Sequence, residues 1–356
     1  MERQYFEQLK QNYLAALNLK PSDAVRELNT EYFCGRYEPQ PEWSVGPFRR
    51  DDRLTFRKQM PLGDPTGIGW TSSFLFNPSL LVQNDQLWLF YRAGVKKESL
   101  GSRIGLAVWD EKSGWREYPD PVIWPTEPNE VQSVEDPKVY RAEDGTFVMF
   151  YNGIYNASPQ QAEKFGVEPG AVCVDLLMAV SDDLIHWEKR GSVVPDEISR
   201  LWVKAAVIPR SGDGSAVKTG EKYQMFLSEG CGGRQYIGES DDLLHWSFRQ
   251  QTYLILPPSM GTHIYEVACA VSDSVTGDLL LDFFYSDTDG RDAAAQAFYP
   301  AGRLDDAPQL HRGGTLAWGG LSVFRGEWIF PQGWDAPEGK EEIYFYTAPI
   351  GGFRPR

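Results

Sequence analysis

One unit recurs five times along the chain, and this recurrence limits the fold more than any other feature. Each unit is a hydrophobic strand, a polar turn, an aromatic-rich strand, and a third strand ending in small or acidic residues. The paired runs are Leu80–Gly94 with Ile104–Asp110, Lys138–Gly153 with Asp175–Asp183, Ala206–Gly230 with Arg234–Asp242, Ala268–Asp287 with Ala295–Asp306, and Gly319–Gly333 with Glu342–Ile350. Two copies agree residue by residue. Ser181-Asp182-Asp183-Leu184-Ile185-His186-Trp187 returns 59 positions later as Ser240-Asp241-Asp242-Leu243-Leu244-His245-Trp246. A unit of a few strands cannot bury its own faces, so neighbouring copies must cover one another. The pattern predicts an all-β chain, a five-bladed β-propeller with a short N-terminal helical extension. Residues 1–40 form the extension in this reading and residues 41–356 the propeller.

In the extension, Tyr5, Phe6, Leu9, Tyr13, Leu14, Ala16 and Leu17 fall near helical spacing. They predict an amphipathic helix over Glu2–Leu19, stopped by Pro21. A second short helix is expected at Ser22–Leu28, with Ser22 as its cap. The apolar face implies either a cover on the chain's own rim or a homo-oligomer contact. Arg53–Lys58 is expected as a strand that closes the ring on the last blade. The glycine-rich loop Asp64–Trp70 is expected to reach over the funnel mouth. Asn84-Asp85, Glu143-Asp144-Gly145, Gly277-Asp278 and Arg325-Gly326 read as hairpin turns. The longer connections, Val122–Val134, Ile154–Val174, Pro195–Val203 and Ser211–Lys222, are where a propeller builds its site.

Charge and composition exclude several classes. A net charge of −15 repels nucleic acid and anionic membrane surfaces. A neutral ligand suits this field. The four cysteines and four histidines show no metal-type spacing, so neither a metal nor a cofactor is expected. The first residues lack an apolar signal region, and no apolar run approaches membrane-spanning length, which reads as a cytoplasmic protein with reduced thiols. The 12 Trp and 17 Tyr pack between sheets and also make flat platforms for sugar rings. Trp70, Tyr151, Tyr236 and Trp318 are the candidate platforms.

The densest chemical cluster is Ser133-Val134-Glu135-Asp136-Pro137-Lys138, at the entry to an inner strand of the second blade. Proline is expected to hold Asp136 extended and so fix its direction. Around it, in order, stand Phe76-Asn77-Pro78-Ser79, Phe90-Tyr91-Arg92-Ala93-Gly94, Ser102-Arg103-Ile104-Gly105-Leu106-Ala107 and Lys204-Ala205-Ala206-Val207-Ile208-Pro209. This series resembles glycoside hydrolase family 130, the β-mannoside phosphorylases and β-mannosidases. The resemblance covers about residues 75–350 and is densest in the first three blades. It implies a five-bladed propeller and inverting chemistry on β-mannosides.

The resemblance implies that Asp136 is the catalytic acid, acting in the phosphorylases through a sugar hydroxyl. Such an acid must hold its proton near neutral pH, and burial or the neighbouring Glu135 is expected to raise its pKa. The phosphate ligands of phosphorolytic members map onto Lys138 and Lys204. Those members also carry a His-Arg pair where this chain has Glu229, in Tyr223-Gln224-Met225-Phe226-Leu227-Ser228-Glu229. A carboxylate repels phosphate, and Lys lacks the fork with which Arg grips it. Hydrolytic members use glutamates that activate water, and Glu229 and Glu266 are the candidates for that base. Inverting hydrolysis needs its two carboxyls about 6.5–9.5 Å apart. Asn77, Arg92, Arg103, Glu135, Lys138, Lys204 and His263 are the expected substrate-binding residues.

The sequence therefore reads as an inverting glycoside hydrolase acting on β-mannosides or related oligosaccharides. One alternative is a β-mannoside phosphorylase with inorganic phosphate as co-substrate. Others are an inverting propeller of the arabinan- or fructan-cleaving type, and a non-catalytic carbohydrate-binding propeller.

Overall fold

A computed structural model describes residues 3–18, 39–96, 100–315, 317–337 and 339–355. Five antiparallel sheets account for almost all regular structure. Blade one comprises Phe74–Gln83, Gln86–Gly94, Arg103–Asp110 and Gly114–Glu117. Blade two comprises Ser133–Arg141, Phe147–Asn156, Val172–Ser181 and Glu188–Ser192. Blade three comprises Val203–Val207, Lys222–Gly230, Tyr236–Ser240 and Ser247–Gln250. Blade four comprises Gly261–Ser272, Leu279–Asp287, Asp292–Tyr299 and Gln309–Arg312. In blade five, Ser322–Phe324, Glu327–Gln332 and Glu342–Pro349 are joined by Arg49–Arg50.

The expected unit had three strands, and the structure adds a fourth at the outer edge. These outer strands are short and largely exposed, such as Glu188–Ser192 and Ser247–Gln250, so they carry little apolar signal. The Ser-Asp-Asp-Leu-x-His-Trp segment is the turn that leads into them. Ser181 Oγ accepts from Leu184 N at 2.9 Å, and Asp183 Oδ1 accepts from His186 N at 2.8 Å. Ser240 and Asp242 repeat both bonds at 2.9 Å. Both histidines of the motif stay exposed.

Five hydrophobic cores lie between adjacent blades, which explains why inner strands read as continuous apolar runs. Side chains alternate between two neighbours. Phe147, Met149 and Tyr151 pack toward blade one, while Val148 and Phe150 pack toward blade three. The turns have the expected chemistry. Asn84 and Asp85 have φ values of 54° and 59°, and Arg325 and Gly326 have 52° and 82°. Two left-handed residues match the twist of a tight hairpin.

Ring closure comes from two segments ahead of the first blade. Arg49–Arg50 and Phe56–Arg57 both pair antiparallel with Glu342–Pro349. Phe56 enters the core between blades five and one, with ring centroids 5.4 Å from Tyr91 and 5.1 Å from Trp115. The helix α1 runs over Arg3–Asn18, and its buried Tyr13 and Ala16 join that same core. The second helix expected at Ser22–Leu28 lies outside the described residues. Asp64–Trp70, expected over the funnel mouth, supplies no residue to the lining of the central cavity. Asp64 gathers the backbone N–H groups of Thr66, Gly69 and Trp70 at 2.8–3.1 Å, and the loop folds on itself.

Arg210 plugs the axis. Its guanidinium donates to Gly319 O at 2.7 Å and Leu80 O at 2.6 Å, and its backbone N–H donates to Ala270 O at 3.1 Å. One side chain from the third blade thus binds backbone of the first and fifth, and its own backbone binds the fourth.

Truncating Phe56 leaves a cavity at the closure. Phe56→Ala is expected to cost about 3–5 kcal/mol in urea unfolding, whereas Ala at the neighbouring exposed Arg57 should change it by under about 1 kcal/mol.

Candidate active site

The inner strands of the first three blades share one local irregularity. Register shifts fall between Phe76 and Ser79 in blade one and between Glu135 and Lys138 in blade two. Asn77 and Asp136 occupy these bulges with φ values of 43° and 51°, and Ala205 has 52° in blade three. Asp136 is therefore left-handed, not extended as its proline suggested. A bulge bends the strand and re-aims the side chain. Non-glycine residues in this region cost of order 1–3 kcal/mol and persist where the surroundings hold them.

Here the surroundings are ionic. Asn77 Nδ2 and Arg92 Nη1 donate to Asp136 Oδ1 at 2.5 and 3.0 Å. Lys204 Nζ donates to Asp136 Oδ2 at 3.2 Å and to Glu135 Oε2 at 3.3 Å. Arg92 Nη2 donates to Glu135 Oε1 at 2.7 Å, and Arg92 Nε donates to Ser102 at 2.8 Å. The Trp334 indole hydrogen-bonds the Asn77 amide oxygen, which fixes the orientation of that amide. Blades one, two and three are thus joined around one aspartate.

These groups open into a cavity of about 340 Å³. Asn77, Arg92, Glu135, Asp136, Lys138, Lys204, Glu229 and Glu266 all line it, with Trp202, Trp318 and Trp334 as its aromatic walls. Lys138 Nζ donates to Ala268 O at 3.3 Å and also to Trp318 O, which links blade two to blade four and to the entry of blade five. Lys204 and Glu229 face each other across paired strands of blade three.

Burial would raise the Asp136 pKa, but Lys204 and Arg92, helped by the Asn77 hydrogen bond, outweigh it. The carboxyl is held well below the usual carboxylate range. The expectation of a raised value is corrected: three positive or donating partners face Asp136, and Glu135 is occupied by the same cations. The raised carboxyls lie elsewhere. Burial, then the charge of Glu229, pushes Glu266 up to about 8. Burial also raises Glu229, against the pull of Lys204 and a hydrogen bond from Trp202. Burial lowers Lys138, opposed by Glu266 and Asp136.

Two expected binding residues are not at the cavity. Arg103 is 1% exposed and sits over the Trp70 ring at 5.1 Å. Its Nη1 donates to Ser102 O at 2.9 Å, and Tyr5, Tyr13, Asp64 and Glu130 supply the surrounding field. Its neighbour in sequence, Ser102, reaches the network, but strand alternation sends Arg103 to the other face. His263 is exposed and lines a neighbouring groove. Among the four expected sugar platforms, only Trp318 lines the cavity. Trp70 and Tyr151 are buried, the latter donating to Glu130 at 2.8 Å, and Tyr236 joins the core between blades two and three. Trp202 and Trp334 were missed. Trp202 lies in the connection Pro195–Val203 where a site was expected, and Trp334 lies outside all four such connections; neither carries a motif that separates it from the core tryptophans.

Comparison with known proteins identifies the family and the fold. Residues 67–273, more than half the chain, match the glycoside hydrolase family 130 model, described as beta-1,4-mannooligosaccharide phosphorylase. A 1,2-beta-oligomannan phosphorylase from Thermoanaerobacter sp. (strain X514) is 27% identical over 182 residues, covering 50% of this chain and 53% of that one. The chain thus spans about half the length of the curated relatives it matches. A glycosyl hydrolase structure from Bacteroides ovatus superposes with a TM-score of 0.65 at 19% identity, over 89% of this chain and 97% of that one. Another superposes at 0.64 and 17% identity, over 88% and 98%. It is described by the statement that the family of mannoside phosphorylases contains glycoside hydrolases that target beta-1,2 mannosidic linkages in Candida mannan. At these identities the superpositions speak for the fold.

The raised Glu266 pKa has a consequence for stability. Between the ordinary carboxylate range and about 8, the folded state binds more protons than the unfolded state, so stability falls as pH rises through that window. Asp136 acts oppositely: its contribution is present above the ordinary value and lost as pH falls through its depressed one. Glu266→Gln should therefore raise the urea midpoint at pH 8, with the gain shrinking toward zero near pH 4–5.

Proposed function

The chain belongs to glycoside hydrolase family 130, and from that premise we propose that it is an inverting hydrolase of β-mannosides. The observation that carries this reading is the pair Glu229 and Glu266, which line the same cavity as an already occupied set of cations. Arg92 and Lys204 are held by Glu135 and Asp136, and Lys138 is held by two carbonyl oxygens. A phosphate dianion would have to displace these partners while facing two further carboxyls. A water molecule meets no such opposition, and either glutamate, once ionised, can take its proton.

In this mechanism Asp136 protonates the leaving oxygen, directly or through a sugar hydroxyl. The cations around Asp136 favour its ionised form, while burial favours the protonated form of Glu266. The two groups must exchange states before the bond breaks. Lys204 is the group placed to drive that exchange, because it hydrogen-bonds Asp136 and also pulls on Glu229 and Glu266. A substrate hydroxyl that takes its place at Asp136 raises the proton affinity of that carboxyl. The freed ammonium then stabilises the ionised glutamates. Asn77 and Arg92 keep Asp136 aimed throughout.

A second reading is phosphorolysis by the same site. Lys138, Lys204 and Arg92 line one cavity, and the curated relatives are named phosphorylases. The two reactions differ only in the nucleophile that the Glu229–Glu266 wall admits.

The test is turnover of a panel of β-mannobioses with and without inorganic phosphate. Hydrolysis should proceed without phosphate and release α-mannose first, read by proton NMR. Dependence on phosphate with formation of mannose 1-phosphate would select the second reading. Asp136→Asn should lower kcat by about 10²–10⁴-fold with binding retained, and unchanged kcat would remove the acid assignment. Lys204→Met should raise the Asp136 pKa, seen as a shift of the pH–rate profile, whereas a merely structural Lys204 would lower the rate without moving the profile.

A further inference from the structure

Beside the central cavity lies a second depression of about 580 Å³ between blades three and four. Glu229 lines both, so the two spaces are neighbours on either side of it. Nothing in the catalytic proposal uses it. Its wall carries Tyr265, exposed His263 and Ile255, the last 69% exposed. Among the described residues that line it, Glu229 carries the one carboxylate and none is a lysine or arginine.

Aromatic rings join the two spaces in sequence. Trp334 lies 6.3 Å from Trp318, Trp318 lies 5.7 Å from Phe284, Phe284 lies 5.1 Å from Tyr265, and Tyr265 lies 5.1 Å from His263. Trp334 and Trp318 line the central cavity, and Tyr265 and His263 line the groove. Phe284 and Tyr265, the rings between, are half-buried. The strand is irregular at this junction. A register shift between Ile264 and Glu266 leaves Tyr265 without an opposing residue, so adjacent residues serve the two spaces. The central cavity, at about 340 Å³, is near the small end of ligand pockets. A longer oligosaccharide has to extend beyond it.

We propose that this groove binds the additional sugar units of a neutral oligosaccharide whose scissile bond lies in the central cavity, an inference that rests on the glycoside-cleaving reading of that cavity. Sugar rings present C–H faces that pack on aromatic surfaces, and the track offers such surfaces without a cationic group to select a charged chain. The preferred substrate is then a chain of three or more units.

The experiment titrates Asp136→Asn protein with β-1,2- and β-1,4-linked mannooligosaccharides of two, three and four units, by calorimetry. Affinity should rise about five- to tenfold from the disaccharide to the tetrasaccharide. Tyr265→Ala in the same background should erase the rise while leaving disaccharide affinity within about twofold. Tyr265→Phe should keep it. Binding that ignores chain length, or an equal loss at every length in Tyr265→Ala, overturns the groove and leaves the central site standing. No binding at any length in either series overturns both readings together.

Discussion

The ion network around Asp136 is the interaction on which the rest depends. Arg92, Glu135, Asp136 and Lys204 come from three sheets that share no strand. Their charges are largely withdrawn from water, so each must be matched. Removing one partner from such a network typically costs about 3–5 kcal/mol, because the other charge is left buried and alone. The network therefore does two things at once: it fixes the relative placement of three blades and sets which carboxyl is ionised. Arg210 does the purely structural part of this work nearer the core, where it binds carbonyl oxygens rather than carboxylates.

The same network explains why the site stores its proton away from Asp136. Two cations and an amide face Asp136, while burial and the charge of Glu229 outweigh the pull of Lys138 and Lys204 on Glu266. Charge balance is thus settled across the cavity and not at one residue. A neutral sugar can redistribute it by exchanging hydrogen bonds, whereas a phosphate must break ion pairs. That difference is the physical content of the choice between water and phosphate as nucleophile.

Local backbone geometry shows how function departs from the repeat. Asn77, Asp136 and Ala205 are left-handed in successive inner strands, the first two at bulges. Regular strands would send alternate side chains into the inter-blade cores. The bulges turn Asn77 and Asp136 out of that alternation and into the cavity. Strain is tolerated there because hydrogen bonds from neighbouring blades over-determine the position.

Much of the architecture was legible in the order of residues. The five units, the hairpin turns, the closing strand at Phe56–Arg57 and the first helix all follow from period, turn chemistry and spacing, which are local properties. Asp136, Glu229, Glu266, Asn77, Arg92, Glu135, Lys138 and Lys204 were recognisable from short motifs, and they converge on one cavity. The outer strands were not legible, since exposed strands carry no apolar period. Nor was the fate of Arg103: its motif neighbours reach the network, yet strand alternation places it under α1. The chain alone determined the blades and the cast of charged residues, because each depends on neighbours in sequence. Only the tertiary structure decided which charges pair, which carboxyl keeps its proton and which rings form a path, because those outcomes depend on groups brought together from separate sheets and on the water excluded between them.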